Sequence, residues 1–400
     1  MKYRKMLERC VLLFIAGTAL QLLVGDLNTS FLAYPWGVIL AINYLYLLVM
    51  LYAFSDKHQW IKNLYDRRAC LSSLASMLVL TLLFGLIPQD ETIGGWVGAL
   101  GFSRMTTSWI FNLFLFWFMT VIGFRVIDEV WHWKNRKKIP LFFHAAFFVI
   151  MLSAVFGSGD KVRIKVVSAV GHPVHSGLTS DGKSVVLPFS ILLKEFSMDE
   201  YPPRVYLGRQ GILSKNFVEV GKAGDEGLLD DWQVTCLQFL DMAGRMTEDS
   251  AFVSMNHVGA TSAAYIKANH VSSGVLVEGW VSCGSHIFAG STLMLPGGDE
   301  IVMPRREPKR YLSIIEIAEE DETREVEIMV NHPARIGSWR IYQAGYDTTR
   351  GKWSTTSVLE CVQDGWYPLV QVSMWIILLS GIMMFALGWK SRKKGKEEKR

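Results

Sequence analysis

The stretch PLFFHAAFFVIMLSAVFGSGDKVRIKVVSAV, residues 140–170, changes character at its middle. From Leu141 to Val155 it is apolar except for His144 and Ser153, as a helix in lipid requires. After Gly157-Ser158-Gly159 the pattern becomes alternating: Val162, Ile164 and Val166 are separated by Arg163 and Lys165, the mark of a half-buried strand. A membrane helix therefore hands over directly to a β-rich module, and this junction organises the rest of the chain.

Working outward from it, the apolar residues crowd into the first 157 positions and one stretch near the C-terminus. The chain is 50% hydrophobic, with a mean hydropathy of +0.23. A bilayer core about 30 Å thick needs about 20 mostly apolar helical residues. Six stretches qualify: Cys10 to Val24, Pro35 to Phe54, Cys70 to Ile87, Trp109 to Ile127, Pro140 to Phe156 and Tyr367 to Trp389. The first has no small-x-small cleavage site before Asp26, and another span follows it closely, so it reads as a retained anchor. Tryptophans cluster near span ends (Trp36, Trp109, Trp131, Trp133, Trp366, Trp389), as in interfacial belts.

The basic residues orient these spans. Lys2, Arg4, Lys5 and Arg9 precede the first; Lys57, Lys62, Arg67 and Arg68 follow the second. Lys134, Arg136, Lys137 and Lys138 precede the fifth, and Lys390, Arg392, Lys393, Lys394 and Lys396 follow the last. The alternate loops hold few cations: Gly25–Tyr34 has none and Pro88–Thr107 has only Arg104. The positive-inside rule then places both termini in the cytoplasm and residues 158–366 outside. Basic clusters beside apolar spans, on a chain of net charge +4, give no case for nucleic-acid binding.

The outer segment alternates at Val162–Val170, Val185–Leu193, Gln233–Phe239, Gly274–Val281, Tyr311–Ile317, Glu325–Val330 and Trp339–Tyr342. Asp181-Gly182, Pro202-Pro203 and Pro296-Gly297-Gly298 supply turns between them. The expected fold is thus six transmembrane α-helices with a large extracytoplasmic all-β, sandwich-like domain inserted before the last; an open barrel is the alternative. The expected division is a two-span hairpin over 1–66, a three-span core over 67–157, the β domain over 158–366, the last helix over 367–390 and a basic tail over 391–400.

Few residues offer chemistry. His144 lies four residues past Pro140, about 6 Å along the helix. An ionisable residue in a span is costly and usually faces the bundle interior. A neutral imidazole is a standard axial ligand of haem iron, but it also serves to bond a neighbouring helix or to snorkel to the interface. The other candidate histidines are His172, His175, His257, His270, His286 and His332. His172 and His175 are spaced i, i+3 without a nearby acid, and Asn256-His257 and Asn331-His332 read as strand-end or turn positions. Cys10, Cys70, Cys236, Cys283 and Cys361 form no C-x-x-C pair and read as isolated buried thiols. Gln21, Asn43, Asn112 and Gln371 read as interhelical hydrogen-bonding groups, and Arg125 as a snorkelling end residue. The aromatics of Trp109–Trp117 could face a planar ligand, though lipid or helix packing explains them as well. With no carboxylate inside the six spans as bounded above, a coupled transporter is disfavoured. No triad, carboxylate-pair or phosphate-loop pattern can be assembled.

Four local features resemble the ResB (CcsB) family of System II cytochrome c biogenesis proteins. They are Gly85-Leu86-Ile87-Pro88-Gln89; Leu100-Gly101 with Ser108-Trp109; His144 with the apolar run to Gly157; and Asn331-His332-Pro333 through Gly337, Trp339-Arg340-Ile341-Tyr342-Gln343 and Gly345-Tyr346-Asp347. The likeness covers about residues 67–390, and the first two spans are extra to the family's core. It implies a bacterial cytoplasmic-membrane subunit that handles and exports haem b and supports its attachment to the Cys-x-x-Cys-His thiols of apocytochrome c. It implies His144 as an axial haem ligand. It also implies a CcsA-like, tryptophan-rich multispan partner that carries the catalytic motif absent here, and a thiol-reducing thioredoxin-like protein nearby. The alternative is a membrane-anchored extracytoplasmic binding or sensor protein without haem chemistry.

Overall fold

The computed structural model describes residues 3–90, 92–134, 138–247, 250–319 and 322–397. Of the orienting cations, Lys2, Arg136 and Lys137 lie outside these residues, as does the end of the basic tail. The chain divides into two compact units, one of residues 1–161 with 363–400 and one of residues 162–362.

The first unit is helical: α1 (Tyr3–Val24), α2 (Trp36–Ala53), short α3 (Gln59–Lys62), α4 (Arg67–Leu86), short α5 (Gly95–Ala99), α6 (Trp109–Trp131), α7 (Lys138–Phe156) and α8 (Tyr367–Glu397). Among the described residues, six of these helices (α1, α2, α4, α6, α7 and α8) are long and apolar enough to cross a membrane. A helix suits apolar surroundings because it satisfies its own backbone polar groups. Pro140 falls in the first turn of α7, where its missing N–H removes no intrahelical bond. α6 is the hub: 44% of its span is buried, against 11% for the spans in α1 and α8.

Small residues let neighbouring helices approach α6 closely. A Cβ added to Gly17 of α1 would sit 2.8 Å from the Ile110 Cα. One added to Gly123 of α6 would meet Leu48 and Phe148 side chains at 2.7 and 2.8 Å. Gln21 acts across helices as expected: its amide donates to Asp26 at 2.7 Å and its oxygen accepts the Trp109 N–H at 3.0 Å, capping α6 from α1. Asn43 and Asn112 instead bond carbonyls of their own helix or of the turn leading into it.

One end of this unit gathers the loops poor in basic residues. Arg104 pairs with Asp26 at 2.6 Å, and the Leu27 N–H donates to the Thr107 carbonyl at 2.8 Å. Asp160, just before the β-rich unit, accepts the Tyr34 N–H and the Trp366 indole N–H, linking entry and exit segments to the same end.

Among the described residues the second unit is built of strands in three sheets, with one short 3-10 turn at Gly351–Trp353. Its eight-stranded sheet runs in the order Glu322–Met329, Pro308–Glu319, Ser184–Glu200, Pro173–Leu178, Val162–Ala169, Thr356–Gln363, Trp339–Tyr346, Ala334–Ile336. Ile164, Leu187, Ile191, Ile315, Ile328, Ile341 and Leu359 share one core, so this sheet curls until its two ends cover common ground. A five-stranded sheet is built on Trp232–Gly244 and Thr261–His270, and a four-stranded one on Arg204–Arg209 and Ile212–Glu219. Val205, Leu207 and Ile301 of the latter pack on Val234, Ile266 and Val281 of the former, a sandwich with its own core. Both the sandwich and the open, curled sheet are present.

Gly17→Val should destabilise the helical unit by about 1–3 kcal/mol through overpacking against the Ile110 backbone. Thermal unfolding in detergent checks this; an unchanged midpoint would contradict the close approach.

Candidate functional site

The last turns of α6 and the first turns of α7 run antiparallel through a short connection. Arg125, Asp128, Glu129 and His132 recur at i, i+3, i+4 and i+7, hence on one face of α6. This face meets His144 of α7. The Glu129 carboxylate accepts the His144 Nδ1–H across both oxygens, at 3.2 and 3.0 Å. The Arg125 Nε donates to the same carboxylate at 2.9 Å. Asp128 accepts the Tyr52 hydroxyl at 2.9 Å and lies 3.3 Å from the His132 Nδ1. The Glu129 side chain is 3% exposed and that of His144 35%, so the carboxylate is sealed while the ring keeps one edge open.

With Nδ1–H committed to Glu129, a neutral His144 carries its lone pair on Nε2. Among the described residues Nε2 has no hydrogen-bond partner. The ring lines a cavity of about 480 Å³ with Tyr65, Cys70, Leu74, Phe118, Ile122, Arg125, Phe143 and Phe147. That volume lies within the roughly 300–1,000 Å³ of small-molecule sites. The lining is mostly aromatic and aliphatic, with one imidazole, one thiol and one guanidinium. Chemically this is a place for a flat apolar body offering a Lewis-acid centre to nitrogen.

Two readings change. Read from sequence, the fourth span stops at Ile127 and holds no carboxylate. The helix continues to Trp131 and buries Asp128 and Glu129, because Arg125, His144, His132 and Tyr52 supply partners that make burial tolerable. Arg125 is accordingly an ion-pair member rather than only a snorkelling end. The signal for Glu129 was present in the i, i+3, i+4 spacing of Arg125, Asp128 and Glu129, followed at once by a histidine-bearing span.

The other residues singled out above are dispersed. Pro88 and Gln89 follow α4; the Gln89 amide donates to the Ile87 and Phe102 carbonyls at 2.9 and 3.0 Å, and its oxygen accepts the Met105 N–H at 2.9 Å. It is a clamp between two loops. In the β-rich unit, Asn331 adopts φ +66° and turns with His332, whose N–H donates to the Met329 carbonyl at 3.0 Å; Pro333 then leads into Ala334–Ile336. Asparagine tolerates that left-handed conformation. Tyr342 is half-buried, while Gln343 is buried and donates to Ser357 Oγ at 2.8 Å and to the Gly345 carbonyl at 2.9 Å.

Tyr346 stacks near Phe196 and Tyr311, with ring centroids 5.6 and 5.1 Å away. It also lines a polar cavity of about 170 Å³ with Glu200, Ser262, Arg306 and residues 348–353. Asp347 starts that loop by accepting the Thr349 N–H at 2.9 Å. Burial pushes the Glu200 carboxyl up against the pull of Arg306. His172 sits in a turn, but His175 is on the strand Pro173–Leu178. Among the described residues no group of three or more histidine, cysteine or acidic side chains could hold a metal ion.

All five cysteines are free thiols. Burial pushes Cys236 up to about 11 and Cys361 up to about 12. Both should therefore resist maleimide at pH 8 in the folded chain and react after denaturation in SDS. Rapid labelling of either in the folded state would contradict their burial.

Comparison with known proteins adds to this geometry. No curated protein matches the chain. The model of the ResB-like family matches residues 299–374, which take in the turn at Asn331, the Trp339–Tyr346 strand, the loop that starts at Asp347 and the start of α8. Over this segment the likeness read from the motifs is borne out: residues 299–374 are similar to the ResB-like family.

Proposed function

We propose that the chain is a membrane subunit of cytochrome c biogenesis that holds haem b as a transient substrate through His144 Nε2. The ResB-like family is linked to that process. The observation that carries the reading is His144 itself: Nδ1 is held by Glu129 at 3.0 Å, and the open ring edge lines an aromatic cavity. Neutral imidazole nitrogen is a standard axial ligand for haem iron, and apolar walls keep the macrocycle out of water. A CcsA-like partner would supply a second histidine and the catalytic motif; apocytochrome c receives the haem after a thioredoxin-like protein has reduced its thiols.

The proposed setting is the bacterial cytoplasmic membrane, with both termini inside and residues 158–366 outside. The distribution of lysine and arginine supports this. So does the grouping of Asp26, Arg104 and Asp160 at one end of the helical unit, since the sequence assigns all three to the outer side.

Full-length chain co-purified with its multispan partner should show a Soret band. His144→Ala should reduce haem occupancy at least tenfold, since a metal-site group is typically worth 10–100-fold in affinity, and added imidazole should restore the band. A complex without haem, or full cytochrome c maturation with His144→Ala, would defeat the proposal.

The polar cavity beside Tyr346 favours a second reading, an extracytoplasmic binding protein without haem chemistry. Under it, Arg306→Ala abolishes function and His144→Ala leaves it unchanged; the reverse dependence rejects it.

A further inference from the structure

Glu129 does more than occupy a buried position. Its carboxylate spans the His144 Nδ1–H with both oxygens, at 3.2 and 3.0 Å, and is anchored in turn by the Arg125 Nε at 2.9 Å. Asp128 lies 3.7 Å from the Arg125 guanidinium, so two carboxylates face one guanidinium. The Glu129 carboxylate brings a negative charge to the Nδ1 edge of the His144 ring. That charge lies behind the ring, on the side away from Nε2.

We infer that Glu129 is a positioning and tuning residue: it fixes the tautomer that exposes Nε2 and makes iron bound there favour the ferric state. The inference rests on the haem reading above. An anionic acceptor on Nδ1 draws that proton toward itself and pushes electron density onto Nε2, raising ligand basicity. A more basic ligand and a nearby negative charge both favour the more positive iron. The ion pair with Arg125 fixes the plane of the carboxylate, so the hydrogen bond aims the ring as well as polarising it.

Glu129→Gln separates these contributions, since the amide oxygen still accepts Nδ1–H but the charge is gone. The test is a spectroelectrochemical titration of the haem-loaded chain with its multispan partner, using dithionite and mediators. The iron takes one electron from the titrant, and no bond at His144 is made or broken. Glu129→Gln should weaken ferric relative to ferrous binding about tenfold, raising the midpoint by about 59 mV. Asp128→Asn removes the same charge one residue away, from a group with no bond to His144, and should move the midpoint much less.

Haem retained in Glu129→Gln at the wild-type midpoint would overturn the inference while leaving His144 as ligand. Equal shifts from both variants would overturn it too, by reducing the effect to general electrostatics. Wild-type chain without haem would instead defeat the underlying reading. If Glu129→Gln does not fold, Arg125→Gln combined with Glu129→Gln removes the ion pair as a neutral unit. With the net charge unchanged, a smaller upward shift is expected there, owed to the lost anionic hydrogen bond on Nδ1 alone, and an unmoved midpoint counts against the inference.

Discussion

A carboxylate sealed among apolar helices persists only when its charge is answered at short range. Glu129 is answered twice, by the Arg125 guanidinium and by the His144 Nδ1–H. Removing one partner from such a group is costly, about 3–5 kcal/mol for a buried ion pair, so the three side chains hold one another in place. The arrangement fixes which nitrogen of His144 is free, and it ties the end of α6 to the start of α7. The cavity, the open ring edge and the proposed hold on haem iron all follow from that mutual constraint.

The hub position of α6 makes the constraint effective. α6 is capped from α1 by Gln21, approached by α1 at Gly17, and packed against α2 and α7 at Gly123. A helix gripped on several sides cannot rotate to relieve a misplaced charge, so Arg125, Asp128 and Glu129 are presented as a rigid face. The β-rich unit is held by different means: among the described residues, two large apolar cores and a small third around Phe252, with Gln343, Ser357 and Ser313 hydrogen-bonded together inside the curled sheet. The ResB-like match lies in this unit and the start of α8, whereas the side chains with the clearest chemistry lie among the helices.

Much of this was legible in the residues. The helical spans begin or end within a few residues of their expected bounds, because long apolar runs leave little else to decide. Val162–Ala169 and Trp339–Tyr346 could be found by alternation, since one face of each is buried. Thr261–His270 escaped because its alanines and serine are buried on both faces, which erases the period of two. Ile212–Glu219 escaped for the opposite reason: it is mostly exposed, and its apolar residues fall in adjacent pairs, Ile212-Leu213 and Phe217-Val218, rather than alternating. Glu129 was missed because a span bounded at its first acid excludes the acid by construction; only a partner on the next helix shows that the charge goes inside.

The most direct measurement is the protonation of the His144 ring, by ¹⁵N NMR of histidine-labelled full chain in lipid, with the signal assigned by its loss in His144→Gln. The account predicts a ring protonated and hydrogen-bonded at Nδ1. A ring carrying its proton on Nε2 alone, with Nδ1 bare, would contradict it.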